Sequence, residues 1–162
     1  MKYIILDATE NDKEEILSLY KKQIGREFCP WNEHYPTMEE IDFDLSRASL
    51  FVMKDGGKII ASASIDQDEQ VEQLECWSNT LAPGAEMSRL AVDPEYQNQG
   101  LAREMLLHGM AVMKKRGYKS IHFLVNKHNV KALNSYNHLN FDIVGECFMY
   151  EQPFLCYEKE IE

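Results

Sequence analysis

The stretch LAVDPEYQNQGLA, residues 90–102, decides the fold of this chain. An apolar run, Leu90–Val92, leads into a loop rich in amide side chains, and a segment with helical spacing follows. The first N–H groups of a helix have no acceptor within the helix and lie at the positive end of its dipole. Gly100 and Ala102 keep that end slim. This order predicts a pyrophosphate site made of backbone amides. The alternative is that Gly100 only permits a turn.

The composition predicts one soluble globular domain. The chain has 162 residues, of which 44% are apolar and 27% charged, and its formal net charge is −10. Because nucleic-acid binding needs a basic surface, we expect no nucleic-acid partner. No run of 18 apolar residues occurs, and the N-terminal MKYIILDATEND is not a secretory signal. We therefore expect no membrane segment and a cytoplasmic location.

The cysteines predict neither a metal site nor a disulfide framework. They are far apart in the chain and form no C-x-x-C pair. We expect them to be reduced and to behave as small apolar groups. The four are Cys29, Cys76, Cys147 and Cys156.

Hydrophobic periodicity predicts alternating strands and helices. Thr37 and Glu40 form a capping box, Asp55-Gly56-Gly57 is a hairpin signal, and Asn129 and Asn140 suit the start and the end of a helix. Residues 66–85 are polar, and Pro83-Gly84 ends them in a turn. The predicted order is a strand at 2–6, helices at 11–24 and 37–48, strands at 50–53, 58–65 and 87–92, a helix at 101–116, a strand at 120–125, a helix at 129–138, and strands at 143–149 and 154–160.

Two sequence blocks resemble the GNAT family of N-acetyltransferases. Residues 90–102 are similar to its acetyl-coenzyme A signature, a strand with an apolar-Ala-Val end followed by Q/R-x-x-G-x-G/A at a helix start. Residues 129–141 are similar to its N-x-x-A-x-x-x-Y-x-x-x-G-F block, with Asn140 in place of glycine. The resemblance implies an α+β fold with a mixed, mostly antiparallel twisted sheet of about seven strands and helices on both faces.

The same resemblance implies an enzyme that moves the acetyl group of acetyl-CoA directly to an amine in a ternary complex, without a metal. The implied acceptor is a small-molecule or peptide amine, and a homodimer is compatible with the family. The implied cofactor-binding residues are Leu90, Ala91, Val92, Gln97, Asn98, Gln99, Gly100, Leu101, Ala102, Arg103, Asn129, Ala132 and Tyr136.

Tyr136 is the implied general acid at the departing sulfur, since a phenol with a pKa of about 10 stays protonated at neutral pH. A role as a core aromatic is the alternative. Glu86 is the implied general base, placed at a strand start six residues before Val92; a solvated glutamate after the turn is the alternative. Many members of the family use a water chain as the base instead of a glutamate, and that alternative stays open here. Weaker candidates are the side chains of Asp66, His34 and Glu75.

In the family, the acceptor pocket forms from the first two helices, the loop joining them and the irregular segment before the fourth strand. These correspond to residues 28–35 and 71–83. We expect a cationic amine to be drawn by Glu33, Glu72 or Glu75, although the aromatic residues could instead close a satellite core. The expected substrate-binding residues are Trp31, His34, Tyr35, Glu75 and Trp77.

Two other classes of protein compete with the enzyme. A non-catalytic acyl-CoA-binding regulatory module on the same fold would bind the cofactor without turnover. A nucleotide-phosphate-binding protein is disfavoured, because the chain has neither a G-x-x-x-x-G-K-[ST] loop nor a dinucleotide fingerprint.

Overall fold

A computed structural model describes residues 3–162, which contain seven strands and five α-helices. The strands follow the order β1-β2-β3-β4-β5-β7-β6, and the ladder of β4 with β5 is parallel whereas β1–β2, β2–β3, β5–β7 and β6–β7 are antiparallel. This confirms the predicted mixed, mostly antiparallel sheet. In chain order the elements are β1 (Ile4–Asp7), α1 (Lys13–Lys21), α2 (Met38–Ser46), β2 (Leu50–Asp55), β3 (Lys58–Asp66), α3 (Glu69–Glu72), β4 (Gly84–Val92), α4 (Leu101–Lys115), β5 (Ser120–Asn126), α5 (Val130–Asn137), β6 (Asp142–Met149) and β7 (Gln152–Glu160).

Residues up to Ile65, together with Ser88–Met105, form a first compact unit. Its β2–β3 hairpin turns at Gly56, where φ is 61°, which confirms the predicted hairpin. Thr37 caps α2: its N–H donates to Oε1 of Glu40 at 2.7 Å, so the predicted capping box is confirmed. The apolar faces of these elements meet in one core cluster of Ile16, Leu19, Tyr20, Ile41, Leu50, Val52, Ile59 and Ala91.

Asp66–Met87 and Leu106–Glu162 form a second compact unit. Alternate residues of β5 point to opposite faces of the sheet. On one face Phe123 packs against Tyr136 of α5, with ring centroids 4.8 Å apart. On the other, Nε2 of His122 lies 2.7 Å from Oε1 of Glu72 in α3. Helices therefore cover both faces of β5, as predicted.

Two predicted boundaries are wrong, and one segment contains a helix that was not predicted. Strand β4 begins at Gly84 rather than at residue 87, because Gly84–Glu86 pair with Ser120–His122 of β5. Helix α1 ends at Lys21, and Ile24, expected on its apolar face, is 40% exposed. The unassigned segment 66–85 contains α3, whose N-terminus is capped by Asp68. The first strand starts at Ile4; residue 2 of the prediction lies outside the described residues.

Three of the four cysteines, Cys76, Cys147 and Cys156, lie close together, which their spacing does not predict. Cys156 lies opposite Gly145 in the β6–β7 ladder, and a side chain at Gly145 would be 2.7 Å from Cβ of Cys76. Cys147 is on the same strand as Gly145, two residues later. All four thiols are free, but only Cys156 is buried, and burial raises the pKa of its thiol.

Two features are absent from residues 3–162. None of the helices in this range combines the length and the apolar character needed to cross a membrane. Within the same range, no three His, Cys, Asp or Glu side chains are grouped so that they could hold a metal ion.

Candidate active site

Strand β4 bends at Arg89, where the backbone φ is 44°. A non-glycine residue in this region is strained and persists only where its surroundings hold it. The guanidinium is held by Asp44 of α2: Nη2 donates to Oδ1 at 2.6 Å and Nε to Oδ2 at 3.1 Å. Burial opposes the charge of Arg89, but the bonds and the charge of Asp44 outweigh it and raise its pKa. The bend comes directly before Leu90–Val92.

The end of β4 is fixed by polar contacts within the first unit. The carbonyl of Val92 accepts from Nε2 of Gln23 at 3.0 Å and from Nη1 of Arg26 at 3.2 Å. Asp93 then caps the 3₁₀ turn Pro94–Tyr96, where Oδ1 accepts from the backbone N–H of Glu95 at 2.9 Å. Side-chain contacts at Val92 and at Asp93 therefore hold the backbone that leads into the loop.

The loop of residues 97–100 is left-handed at two positions. Asn98 and Gly100 have φ of 63° and 75°. Turn backbones can present successive N–H groups to one side, which makes a concavity for anions. Oε1 of Gln99 accepts from the hydroxyl of Tyr3 at 2.9 Å, and the amide of Gln97 contacts the guanidinium of Arg26. Both glutamine side chains are thus used to hold the loop.

Helix α4 begins directly after this loop, at Leu101, and the small side chain of Ala102 lies in its first turn. The guanidinium of Arg103 lies close to Gly100. A Cβ atom at position 100 would come within 2.8 Å of its Nη2. Nε of Arg103 is buried and has no hydrogen-bond partner among the described residues. An unpartnered buried donor beside open helix amides fits an anionic ligand.

Glu86 lies inside β4 in the second unit and is buried, with 6% of its surface exposed. The sequence placed it at the start of a strand, and the alternative was a solvated glutamate after a turn. Both descriptions are wrong, since β4 has already begun at Gly84. Glu86 pairs with His122 on the neighbouring parallel strand, so both side chains point to the same face.

His122 is the main polar residue of this region that sequence reasoning missed. It is 1% exposed, and it also pairs with the buried Glu158 of β7. Glu86, His122 and Glu158 therefore form one row across three strands. The available signal was a single polar residue inside the apolar run SIHFLV, whose neighbours become visible only when the strand register is known.

Tyr136 and Asn129 lie on α5, as the sequence predicts. The ring of Tyr136 is buried against Phe123 and Tyr157, and burial raises the pKa of its hydroxyl to about 12. Oδ1 of Asn129 accepts from the backbone N–H of Ala132 at 3.2 Å, which confirms the helix cap. The packing role of Tyr136 and the capping role of Asn129 are thus present in the structure.

The acceptor residues proposed in the first unit have unlike surroundings. Trp31 packs edge-on against Tyr20, with ring centroids 5.3 Å apart, at the border of the core cluster. His34 is exposed, with 84% of its side chain accessible, and lies 3.4 Å from Glu33. The hydroxyl of Tyr35 accepts from Nη1 of Arg89 at 3.1 Å. Trp31 therefore packs in the way expected if the loop aromatics close a core rather than bind the acceptor.

The acceptor residues proposed in the second unit line a cavity of about 170 Å³. Nε1 of Trp77 donates to the carbonyl of Val71 at 2.7 Å, and the indole lies against the His122 ring, with centroids 4.3 Å apart. Glu75 is exposed at the rim. The structure thus brings Trp77 and Glu75 together with His122 around one space.

Known proteins resemble this chain in sequence. Residues 14–141 match the model of the acetyltransferase (GNAT) family. A mycothiol acetyltransferase from Nocardiopsis dassonvillei is 31% identical over 86 residues, which cover 48% of this chain and 26% of that protein. The [ribosomal protein bS18]-alanine N-acetyltransferase of Escherichia coli K12 is 38% identical over 58 residues, which cover 36% of this chain and 39% of that protein. The matched part thus spans well under half the length of either curated relative.

Solved structures show the same fold over nearly the whole chain. The ribosomal-protein-S18-alanine N-acetyltransferase of Escherichia coli superposes with a TM-score of 0.75 at 20% identity, covering 99% of this chain and 94% of that one. The putative acetyltransferase yncA from Salmonella typhimurium, solved with acetyl-CoA, gives a TM-score of 0.77 at 15% identity and covers 100% and 95% of the two chains. With a family match over residues 14–141 and a fold shared from end to end, the chain belongs to the GNAT acetyltransferase family.

Proposed function

We propose that this protein is an N-acetyltransferase, which transfers the acetyl group of acetyl-CoA to a primary amine by direct attack in a ternary complex. The observation that carries the proposal is the left-handed loop at Asn98 and Gly100, which leads into the open N-terminus of α4 beside the unpartnered Nε of Arg103. Membership of the GNAT family supports it. We also propose a cytoplasmic location, on the sequence grounds given above.

The loop and helix start are proposed to hold the pyrophosphate of the cofactor. Backbone N–H groups of residues 97–102 would donate to its oxygens, and Arg103 would add a charged donor. The bend at Arg89 turns the backbone of Leu90–Val92, whose amides are proposed to face the pantetheine and the thioester oxygen. Each donor aimed at a developing oxyanion is worth about 3 kcal/mol in other acyl-transfer enzymes. Acetyl-CoA, when bound, supplies the activated acetyl group.

Glu86 is proposed to take part in removing the proton from the acceptor ammonium. Its carboxylate is buried and lies in one row with His122 and Glu158, so it sits in surroundings far from bulk water.

Tyr136 is proposed as the general acid that protonates the departing thiolate. Its buried hydroxyl, with a pKa of about 12, remains protonated at every pH at which the reaction would run. A thiolate is less basic than a phenolate of that pKa, so the transfer from Tyr136 to sulfur is uphill, and the phenolate then takes a proton back from solvent. Asn129 and Ala132 are proposed to line the cofactor beside their role in the helix cap.

Isothermal titration with acetyl-CoA tests the proposed cofactor site. We expect binding at micromolar to low-millimolar ligand, and strong weakening in Gly100→Glu and Ala102→Glu, which place a carboxylate in the amide cradle. Leu107→Glu, which adds the same carboxylate at an exposed position later in the same helix, is the control. No binding to the unaltered protein, or equal affinity in both glutamate variants, would refute the site.

The acceptor is proposed to be a small-molecule or peptide amine. The similar protein of Escherichia coli is named for an alanine of ribosomal protein bS18, and the similar protein of Nocardiopsis dassonvillei for mycothiol. A panel of acceptors should therefore include a peptide that begins with alanine, a lysine peptide, an amino sugar and a polyamine. The alternative function, a regulatory module that binds acyl-CoA without turnover, would bind the cofactor and release no thiol with any of them.

A further inference from the structure

Three thiols meet in the second unit, beside the ladder of β6 with β7. The thiol of Cys156 is in hydrogen-bonding contact with the thiols of Cys76 and Cys147. Cys156 is fully buried, whereas the other two side chains are partly exposed. The cluster can therefore be reached from solvent through two of its thiols and is closed at the third.

The approach of Cys76 to Cys156 depends on a glycine. Gly145 lies opposite Cys156 in the β6–β7 ladder. A Cβ atom at Gly145 would come within 2.7 Å of Cβ and 3.4 Å of Sγ of Cys76. The side chain of Cys76 therefore fills the place that a side chain of residue 145 would take, across from Cys156. Side chains in such opposed positions have Cβ atoms about 4.5–5.5 Å apart, and a disulfide needs about 3.5–4.5 Å, so a small shift is sufficient.

A second contact holds the segment of Cys76 against β7. The backbone N–H of Ser78 lies 3.2 and 3.1 Å from the two carboxylate oxygens of the buried Glu158. Ser78 follows Cys76 by two residues, and Glu158 follows Cys156 by two residues on the same face of β7. The two chains therefore lie side by side from one pair to the next, which keeps Cys76 next to Cys156.

Cys147 is the third thiol of the cluster, but its position suits a disulfide less well. It pairs with Phe154, so it is a diagonal neighbour of Cys156 across the ladder. Diagonal neighbours have Cα atoms roughly 7–8 Å apart, beyond the about 4.4–6.8 Å that a disulfide spans. Cys147 can thus contact the sulfur of Cys156, but a bond between them would require the ladder to move.

We propose that Cys76 and Cys156 are a site of reversible disulfide formation, with a low-molecular-weight disulfide as the oxidant. First, the thiolate of the partly exposed Cys76 attacks the oxidant, a mixed disulfide forms, and one small thiolate leaves. The thiolate of Cys156 then attacks the sulfur of Cys76, the protein disulfide forms, and the second small thiolate leaves. Two protein thiols are oxidised, the oxidant is reduced to two small thiols, and the protons of the protein thiols are taken up by the leaving thiolates.

The environment of the site fits a reversible bond. All of the cysteines are free in the structure, and a disulfide in a reducing compartment is usually transient and serves catalysis or redox sensing. Cys76 directly precedes Trp77, whose indole donates to the carbonyl of Val71 and packs against His122. Oxidation would therefore add a covalent link to the contacts that hold this segment on β7. The inference goes beyond the proposed function and does not depend on acetyl transfer.

Peptide mapping after oxidation tests the site. The probe is oxidised glutathione, added to the folded and reduced protein, after which N-ethylmaleimide blocks the remaining thiols. Chymotrypsin is the protease, because Tyr150 and Phe154 separate Cys147 from Cys156 in the chain. We expect one main pair of linked peptides, one with Cys76 and the other with Cys156, whose mass is lower by two hydrogens. Dithiothreitol should separate them.

Cysteine variants give the matched comparison, because each removes one thiol. Cys76→Ala and Cys156→Ala should abolish the link, whereas Cys147→Ala and Cys29→Ala should leave its yield within about twofold. Cys29 lies in the first unit and serves as the reference thiol. Gly145→Ala, whose new Cβ atom would meet that of Cys76, should lower the yield.

The contrary outcomes are equally specific. Glutathione adducts on Cys76 without a protein disulfide, or a main link that contains Cys147 or Cys29, would overturn the inference. The same single link after oxidation in concentrated urea would also overturn it, because the folded β6–β7 ladder would then not be what pairs the two thiols.

Discussion

Arg89 and Asp44 form a buried bidentate ion pair: two guanidinium nitrogens lie 2.6 and 3.1 Å from the two carboxylate oxygens of a fully buried aspartate. The pair holds a left-handed residue within a strand, just before Leu90–Val92. A strained backbone next to a proposed binding strand is the kind of feature that a fold retains for function.

Removal of Asp44 should be costly. Asp44→Ala leaves the partly buried guanidinium of Arg89 with the hydroxyl of Tyr35 but without a carboxylate, and we expect a loss of about 3 kcal/mol in the free energy of unfolding. Asp42→Ala, which breaks an ion pair between the half-exposed Asp42 and Lys13, should cost about 1 kcal/mol or less. Urea denaturation measures both. Equal losses would show that the Arg89 pair contributes no more than a surface pair.

Asp93 should make stability depend on pH at acid values. Burial alone would raise its pKa, but the N–H of Glu95 and the ammonium of Lys22 outweigh burial and lower it below the ordinary 3.8. A depressed folded-state pKa stabilises the fold above the unfolded pKa, and this contribution is lost as pH falls through the folded value.

Asp93→Asn keeps the cap oxygen and removes the charge. We expect it to reduce the free energy of unfolding by about 1 kcal/mol at pH 7 and to have a shrinking effect below pH 3.8. Urea denaturation of both proteins at pH values from about 2.5 to about 7 gives the difference in their free energies of unfolding. A difference that stays constant across that range would contradict the assignment of the shift to Lys22 and Glu95.

Arg103 should contribute to cofactor affinity through its charge. Arg103→Met removes the unpartnered buried donor and keeps an unbranched side chain, so we expect acetyl-CoA to bind about tenfold more weakly. Lys115→Met, at the far end of α4, removes the same charge where no phosphate is proposed, and its affinity should stay within about twofold. Isothermal titration measures the acetyl-CoA affinity of both variants. Equal losses of affinity would show that only the net charge of the protein affects binding.

Tyr136 should act on the chemical step. Tyr136→Phe keeps the ring that packs on Phe123 and removes only the hydroxyl, so we expect kcat to fall by about 100-fold while acetyl-CoA affinity changes little. Because its pKa is about 12, the unaltered enzyme should show no loss of activity from Tyr136 ionisation up to pH 10, roughly two units lower. An unchanged kcat in the phenylalanine variant would leave Tyr136 a packing residue.

Local signals in the sequence predict much of this fold. The Thr37–Glu40 capping box, the Asp55-Gly56-Gly57 turn and the Asn129 cap each depend on residues within a few positions, and all three occur in the structure. The left-handed Asn140, with φ of 59°, follows in the same way from its short polar side chain. Such features need no knowledge of the distant chain.

Features that depend on strand register could not be predicted from the sequence. Gly84 reads as part of a Pro-Gly turn, but pairing with Ser120 draws it into β4, which in turn buries Glu86. His122 joins Glu86 and Glu158 only when three strands are aligned. The left-handed Arg89 is equally hidden, because nothing near it in the sequence calls for a positive φ; its buried partner is 45 residues away.

The measurement that tests the enzyme most directly is release of free thiol from acetyl-CoA across the amine panel, with the acetylated product identified by its mass. We expect thiol and acetylated product to form in equal amounts with at least one cationic amine, and the rate to fall in both Tyr136→Phe and Glu86→Gln. Saturable acetyl-CoA binding with no thiol release from any amine would contradict the proposed transferase and leave a binding module on the same fold.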